Sequence, residues 1–176
     1  MREPWTNVTD DQDFVEHLLN VYFTWQHSFF QSFPEALFRA DMAAGRTKYC
    51  SSLLVNAICA SACFLSPRAK AGEDRGDGHT IMASFSDESV RLLNQIVMPS
   101  ITTTAALYLM SYVEGTRGRL SRLWELSGRS VLMAFDINLH LRQNGRRCAE
   151  SESDQELENE NKTRSHAFWG CFHVDQ

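Results

Sequence analysis

The stretch Leu120-Ser-Arg-Leu-Trp-Glu-Leu-Ser-Gly-Arg-Ser-Val-Leu-Met-Ala-Phe-Asp-Ile-Asn-Leu-His-Leu141 decides the fold class. Its apolar set, Leu123, Leu126, Val131, Ala134, Phe135 and Leu139, falls at helical spacing and predicts one long helix. Gly115 and Gly118 make the turn before it. Upstream, residues 92 to 113 carry no charge, and Pro99 divides them into helices at about Asp87 to Met98 and Ile101 to Glu114. That stretch is long enough to span a bilayer. Asn94, Gln95, Ser100, the three threonines 102 to 104, Ser111 and Pro99 make a buried helix pair the better reading.

The same pattern extends to the N-terminus. Phe14, Leu18, Val21, Tyr22, Trp25 and Phe29 predict an amphipathic helix over residues 10 to 32, with Thr9 and Gln12 at capping-box spacing. Pro34 suits the first turn of a helix from Glu35 to Ala43, which Gly45 ends. A small-residue helix over 48 to 65, closed by Pro67, reads as central because small side chains let helices approach closely. A last helix covers about Thr163 to Asp175. No segment alternates with period two, so the expected fold is all-α: antiparallel helical hairpins packed as an irregular bundle. Polar, charged insertions interrupt it at about 66–80 and 142–162. The helix that reaches Gln176 still apolar predicts an incomplete domain, since Phe168, Trp169 and Phe172 would otherwise have little to pack on.

Composition narrows the function. Lys and Arg number 17 against 22 Asp and Glu, a net charge of −5, which excludes a broadly cationic nucleic-acid binder. Six acids between Glu150 and Glu160, with no base among them, account for the imbalance; the rest of the chain is close to neutral. Aromatic residues at 11% exclude global disorder. The five cysteines, 50, 59, 63, 148 and 171, are odd in number, form no C-x-x-C and follow no apolar leader, which predicts free thiols in an intracellular compartment. Cys59 and Cys63 share a helical face but lack further ligands, so they read as core residues rather than a metal site.

No catalytic signature is present: Gly-x-Ser-x-Gly, the P-loop and His-Glu-x-x-His are all absent. Asp136 and His140, at i and i+4, have the spacing by which a carboxylate orients an imidazole. Arg117, Arg119, Arg122 and Arg129 are the local basic cluster, with no interleaved aromatics for base stacking. The residues therefore assign no catalytic, cofactor-binding or metal-binding position. An alternative reading is a free-standing helical small-molecule-binding or enzymatic domain using Asp136 and His140.

Three segments together resemble the fungal-specific transcription factor domain, the middle homology region of zinc-cluster transcription regulators. The first is His17-Leu-Leu-Asn-Val-Tyr-Phe, followed by Phe29, Phe30 and Phe33. The second runs from Trp124 to His140, where Trp124, Gly128, Met133, Ala134, Asp136, Leu139 and His140 fall on the family pattern. The third is Arg164-Ser-His-Ala-Phe-Trp-Gly-Cys-Phe-His-Val-Asp175, carrying Arg164, Phe168, Trp169 and Asp175. Leu53 to Ala62 is similar to the family's leucine-asparagine-alanine helix. The likeness is greatest to regulators of the nitrate-assimilation type. Leu132 stands where the family often has Arg, Asn138 where it usually has Gly, and Gln176 where the last motif has Arg.

The resemblance implies a regulatory domain over residues 1–176, partial, acting on transcription by RNA polymerase II in the nucleus. Its implied partners are the transcription machinery or co-regulators, and a homodimer, with no membrane. DNA and zinc binding belong to the family's six-cysteine cluster, whose spacings are absent here, so DNA would be reached only through that module. The motif residues are expected to pack or pin helices, and a small-molecule effector pocket between helices is implied by analogy.

Overall fold

The structure, a computed structural model, describes residues 4–28, 32–71, 80–96, 98–141 and 151–172. Eight α-helices are present among them: α1 Gln12–Val21, α2 Glu35–Ala44, α3 Ser52–Ala62, α4 Pro67–Ala71, α5 Ile81–Leu93, α6 Ile101–Thr116, α7 Leu120–Asp136 and α8 Ser151–Phe172. No strand occurs among the described residues. The all-α expectation holds.

Helix α3 is the hub. Ser51 caps it by accepting a hydrogen bond from the Leu54 amide at 3.2 Å, and every residue from Leu53 to Ala62 is buried. A helix apolar on all sides must be surrounded, and α1, α5 and α6 surround this one. Its polar residues are satisfied by partners from elsewhere. Fully buried Asn56 accepts from Thr6 Oγ1 at 2.7 Å and donates to the carbonyls of Trp5 and Ser52. Ser61 donates to Gln26 Oε1 at 2.8 Å.

Several boundaries differ from the sequence expectation. The predicted helix over 10–32 is α1 followed by a π-helical stretch, Tyr22–Gln26; residues 29–31 lie outside the described set. Thr9 and Gln12 do not form the capping box. Asp11 caps α1, accepting from the Phe14 amide at 2.9 Å, because a carboxylate gains more than a hydroxyl at the positive end of the helix dipole. Thr9 instead accepts from the Asp11 amide.

Pro67 does not simply close α3 but starts α4, where its missing N–H costs nothing. The insertion expected at 66–80 as a solvated loop is therefore docked at its start. Ser66 is fully buried, hydrogen-bonded to His17 and to the Ala69 amide, while Arg68 pairs with Asp11 and lies over the Phe14 ring. Residues 72–79 lie outside the described set. Helix α5 begins six residues before the expected Asp87, because Thr80 is its N-cap.

Helix α6 is capped by Ser100, and its buried threonines and serines return hydrogen bonds to their own helix, as with Thr104 to Ser100 O and Ser111 to Tyr108 O. None of the helices among the described residues is long and apolar enough to cross a membrane. The α6–α7 hairpin turns at Gly118, where φ is +74°. A Cβ on Gly115 would lie 2.5 Å from Leu123 Cδ1, so that glycine admits the returning helix. Helix α8 starts at Ser151 rather than near Thr163 and packs on α6 and α7. Further along, Glu158 pairs with Lys162 at i,i+4. Residues 142–150 lie outside the described set.

Asn56 tests the hub. Asn56→Ala removes the buried partner of Thr6, the Trp5 carbonyl and the Ser52 carbonyl. It is expected to destabilise the chain by about 2–4 kcal/mol in urea unfolding, the cost of orphaning buried polar groups plus a small cavity.

Candidate functional site

The motif residues converge on the end of α7 and its contact with α8. Helix α7 stops at Asp136 because Asn138 takes a left-handed conformation, φ +55°. The chain turns there, so Leu139, 3% exposed, folds back into a small second core with Ala134, Ala167 and Cys171. Arg164 fixes the turn. Its guanidinium, on a residue only 9% exposed, donates to the carbonyls of Asn138 at 2.6 Å and Ile137 at 3.1 Å. The Asn138 carbonyl also accepts from the Leu141 amide at 3.1 Å, and a buried cation is a strong donor to both carbonyls at the helix end. Nearby, Ser130 donates to the Thr104 carbonyl at 2.9 Å and lies 3.1 Å from Cys171 Sγ, joining α6, α7 and α8.

The other motif positions separate. Ala134 is fully buried, Met133 packs against the main core, and Phe168 meets the Phe135 ring edge-on at 5.8 Å. Trp124 and Trp169 do not pack inward as expected: they are 57% and 63% exposed. Gly128 is exposed, and a Cβ there would meet nothing within 4 Å. Asp136 and His140 are both exposed, and α7 ends at Asp136, so the i,i+4 spacing does not fall within one helix. His140 stacks near Phe135 and Phe168 and borders a groove with Lys162 and Arg164, which Asp136 does not line. Asp175 lies outside the described residues.

A partly open cavity of about 190 Å³ lies elsewhere, between α3, α5, α6 and α7. Ala57, Ala60, Met110 and Leu126 form its apolar part, and Ser86, Asp87, Glu114, Arg117, Arg119 and Arg122 its polar part. The basic cluster is paired where it stands, four arginines sharing two carboxylates. Glu114 pairs with Arg117 and Arg119, each at 3.3 Å, and Glu125 with Arg122 at 2.6 Å and Arg129 at 3.9 Å. Spacing alone would have shown these pairs, since each carboxylate is three to five residues from its arginines.

Cys50, Cys59, Cys63 and Cys171 are free and buried; Cys148 lies outside the described residues. Burial pushes the Cys50 thiol up to about 12 and raises Cys59 and Cys171 as well. Metal ligation needs thiolates, so these sites resist it. Among the described residues, no group of three His, Cys, Asp or Glu is placed to hold a metal ion.

The sequence pattern of the fungal specific transcription factor domain matches residues 19–176. The chain belongs to that family. Among its relatives, the nitrogen assimilation transcription factor nirA of Emericella nidulans is 40% identical over 177 residues, covering 98% of this chain and 19% of the relative. The nitrogen assimilation transcription factor nit-4 of Neurospora crassa is 36% identical over 182 residues, covering 98% and 16%. A notoamide biosynthesis transcriptional activator of Aspergillus versicolor is 30% identical over 119 residues, covering 64% and 18%. The chain thus spans less than a fifth of the length of these relatives. No solved structure matches it.

Two variants test the corner of this fungal-specific transcription factor domain. Arg164→Met is expected to cost about 2–4 kcal/mol, because two carbonyls lose a charged donor in a buried setting. Denaturant unfolding reads it, and Arg164→Lys should recover only part, because its ammonium keeps the charge but sits one atom short of the position of Nη2. His166 supplies a pH test. Its Nδ1 is buried without a partner, and burial first, then His27 and Lys162, hold its imidazole below the usual range. The folded chain therefore binds the proton less readily than the unfolded one. Stability present above the unfolded pKa of about 6.5 is lost as pH falls. The loss of melting temperature between about pH 7 and pH 5 should be smaller in His166→Gln.

Proposed function

We propose that this fungal-specific transcription factor domain is the regulatory part of a nuclear transcription regulator and acts through contacts with co-regulators or the transcription machinery, without catalysis. The observation that carries this is the family match over residues 19–176, together with 40% identity to nirA across nearly the whole chain. DNA and zinc would be bound by a separate six-cysteine module of the regulator. Three features support a protein-contact role over direct phosphate contact. The net charge is −5, the four clustered arginines are committed to Glu114 and Glu125, and the exposed surface of α7 carries large apolar side chains.

The competing enzymatic reading needs Asp136 and His140 to work together. Helix α7 ends at Asp136, both side chains are exposed, and neither lines the cavity between α3, α5, α6 and α7. That cavity has room for a small effector beside Ser86 and the Arg117–Arg119 turn.

The test is a fusion of residues 1–176 to an unrelated DNA-binding module, assayed on a reporter carrying that module's site. Output different from the module alone at matched expression is expected. Unchanged output, with the fused domain shown to be folded and nuclear, overturns the reading.

A further inference from the structure

The cavity between α3, α5, α6 and α7 has two unlike walls. Ala57 and Ala60 of α3, Met110 of α6 and Leu126 of α7 are all buried and make an apolar wall. The α6–α7 turn and the start of α7 bring Arg117, Arg119 and Arg122 to the same space. Its volume is about 190 Å³. An apolar cavity of about 150 Å³ admits benzene, so a molecule of roughly six to nine non-hydrogen atoms fits here.

Ser86 of α5 lines this cavity and is only 8% exposed, yet its Oγ has no hydrogen-bond partner within the chain. Its neighbours on the helix behave differently. Ser84 donates to the Thr80 carbonyl and Ser89 to the Phe85 carbonyl. A buried hydroxyl left unpaired is costly, and a ligand acceptor in the cavity would satisfy it.

Charge gives the nature of that acceptor. Three arginines and two carboxylates, Asp87 and Glu114, line the cavity, which leaves one positive charge in excess. Glu114 takes only one N–H from Arg117 and one from Arg119, both at 3.3 Å, longer than the ~2.7–3.2 Å of a good N–H···O bond. A guanidinium carries five N–H donors, so this arrangement leaves capacity for a second carboxylate.

We infer that the cavity binds a small aliphatic monocarboxylate. The tail lies against Ala57, Ala60, Met110 and Leu126, and the carboxylate accepts from the Ser86 hydroxyl and the arginines of the α6–α7 turn. This assignment rests on the effector reading of the cavity and adds its ligand class. The surplus charge is positive, so a zwitterion or a cation of the same length is disfavoured.

Calorimetric titration of the 176-residue chain with hexanoate tests it. Saturable binding of one hexanoate is expected, with a rise in melting temperature. Hexanol, hexylamine and norleucine keep the tail, and acetate keeps the charge; each should bind at least about tenfold more weakly. Ser86→Ala should weaken hexanoate about three- to tenfold, the worth of one hydrogen bond. It should also leave the melting temperature of the ligand-free chain unchanged or higher, because an unpaired buried hydroxyl is removed. Arg119→Gln should weaken hexanoate and leave hexanol unaffected.

No saturation by hexanoate up to about 10 mM, in a chain shown to be folded, overturns the inference. So does hexanol, hexylamine or norleucine binding as tightly as hexanoate, or hexanoate binding that both variants leave intact. Reporter output is read separately. A fusion that changes output while the chain binds no hexanoate loses the ligand class alone, and a silent fusion of a hexanoate-binding chain loses the transcriptional role alone.

Discussion

Helix α3 has no face left for water, and the rest of the bundle follows from that constraint. Leu53, Leu54, Val55 and Ile58 each gain roughly 1.5–3 kcal/mol by burial, but only if neighbours cover all sides. The small residues Ala57, Cys59, Ala60, Ser61 and Ala62 let α1, α5 and α6 come close enough to do so. The same closeness makes buried polar groups costly, which is why Asn56 and Ser61 are tied to residues about 50 and 35 positions away. Those bonds also fix where the N-terminal segment crosses the bundle.

A second layer is added by α6, α7 and α8 through a smaller core, with the Ser130 hydroxyl at its centre. It serves the Thr104 carbonyl on α6 and sits against Cys171 on α8. Glycine, not bulk, sets the spacing at both ends. Gly115 lets α7 return against α6, and Gly170 lets α8 approach the segment at Ser32. The aromatic residues of this layer therefore meet at its rim, Phe135 against Phe168 and Phe168 against Trp169.

Helix periodicity made most of the fold legible, because it reports which residues share a face. It located α2 almost to the residue, since Pro34 and Gly45 impose backbone constraints that tertiary packing does not override. Where ends depend on competition between caps, the reading slipped. Thr9 lost to Asp11, and α5 starts at Ile81 because the Thr80 hydroxyl, accepting from the Ala83 amide, stabilises the extra turns. Charge misled at both insertions. Arg68 reads as solvated loop, yet it is held by Asp11 and the Phe14 ring, a contact between residues distant in sequence. Periodicity also cannot tell whether an apolar flank is covered. Trp124 is expected to pack only because it falls on the family motif, and it is 57% exposed on α7.

The end of α7 shows how a departure from family pattern is absorbed. The position of Asn138, where the family usually has Gly, needs a positive φ, and Asn is among the few side-chain-bearing residues that tolerate it. Strain remains, so the turn must be held from outside. Arg164 does this by binding the carbonyl of the strained residue itself at 2.6 Å, and that of its predecessor. Both bonds leave one nitrogen, Nη2, at the far end of the guanidinium, a reach that a lysine side chain falls one atom short of. Leu139, carried inward by that turn, then joins Ala134 and Ala167. The motif's Arg and its Leu are thus two ends of one constraint: the cation fixes the turn, and the turn supplies the leucine that closes the second core.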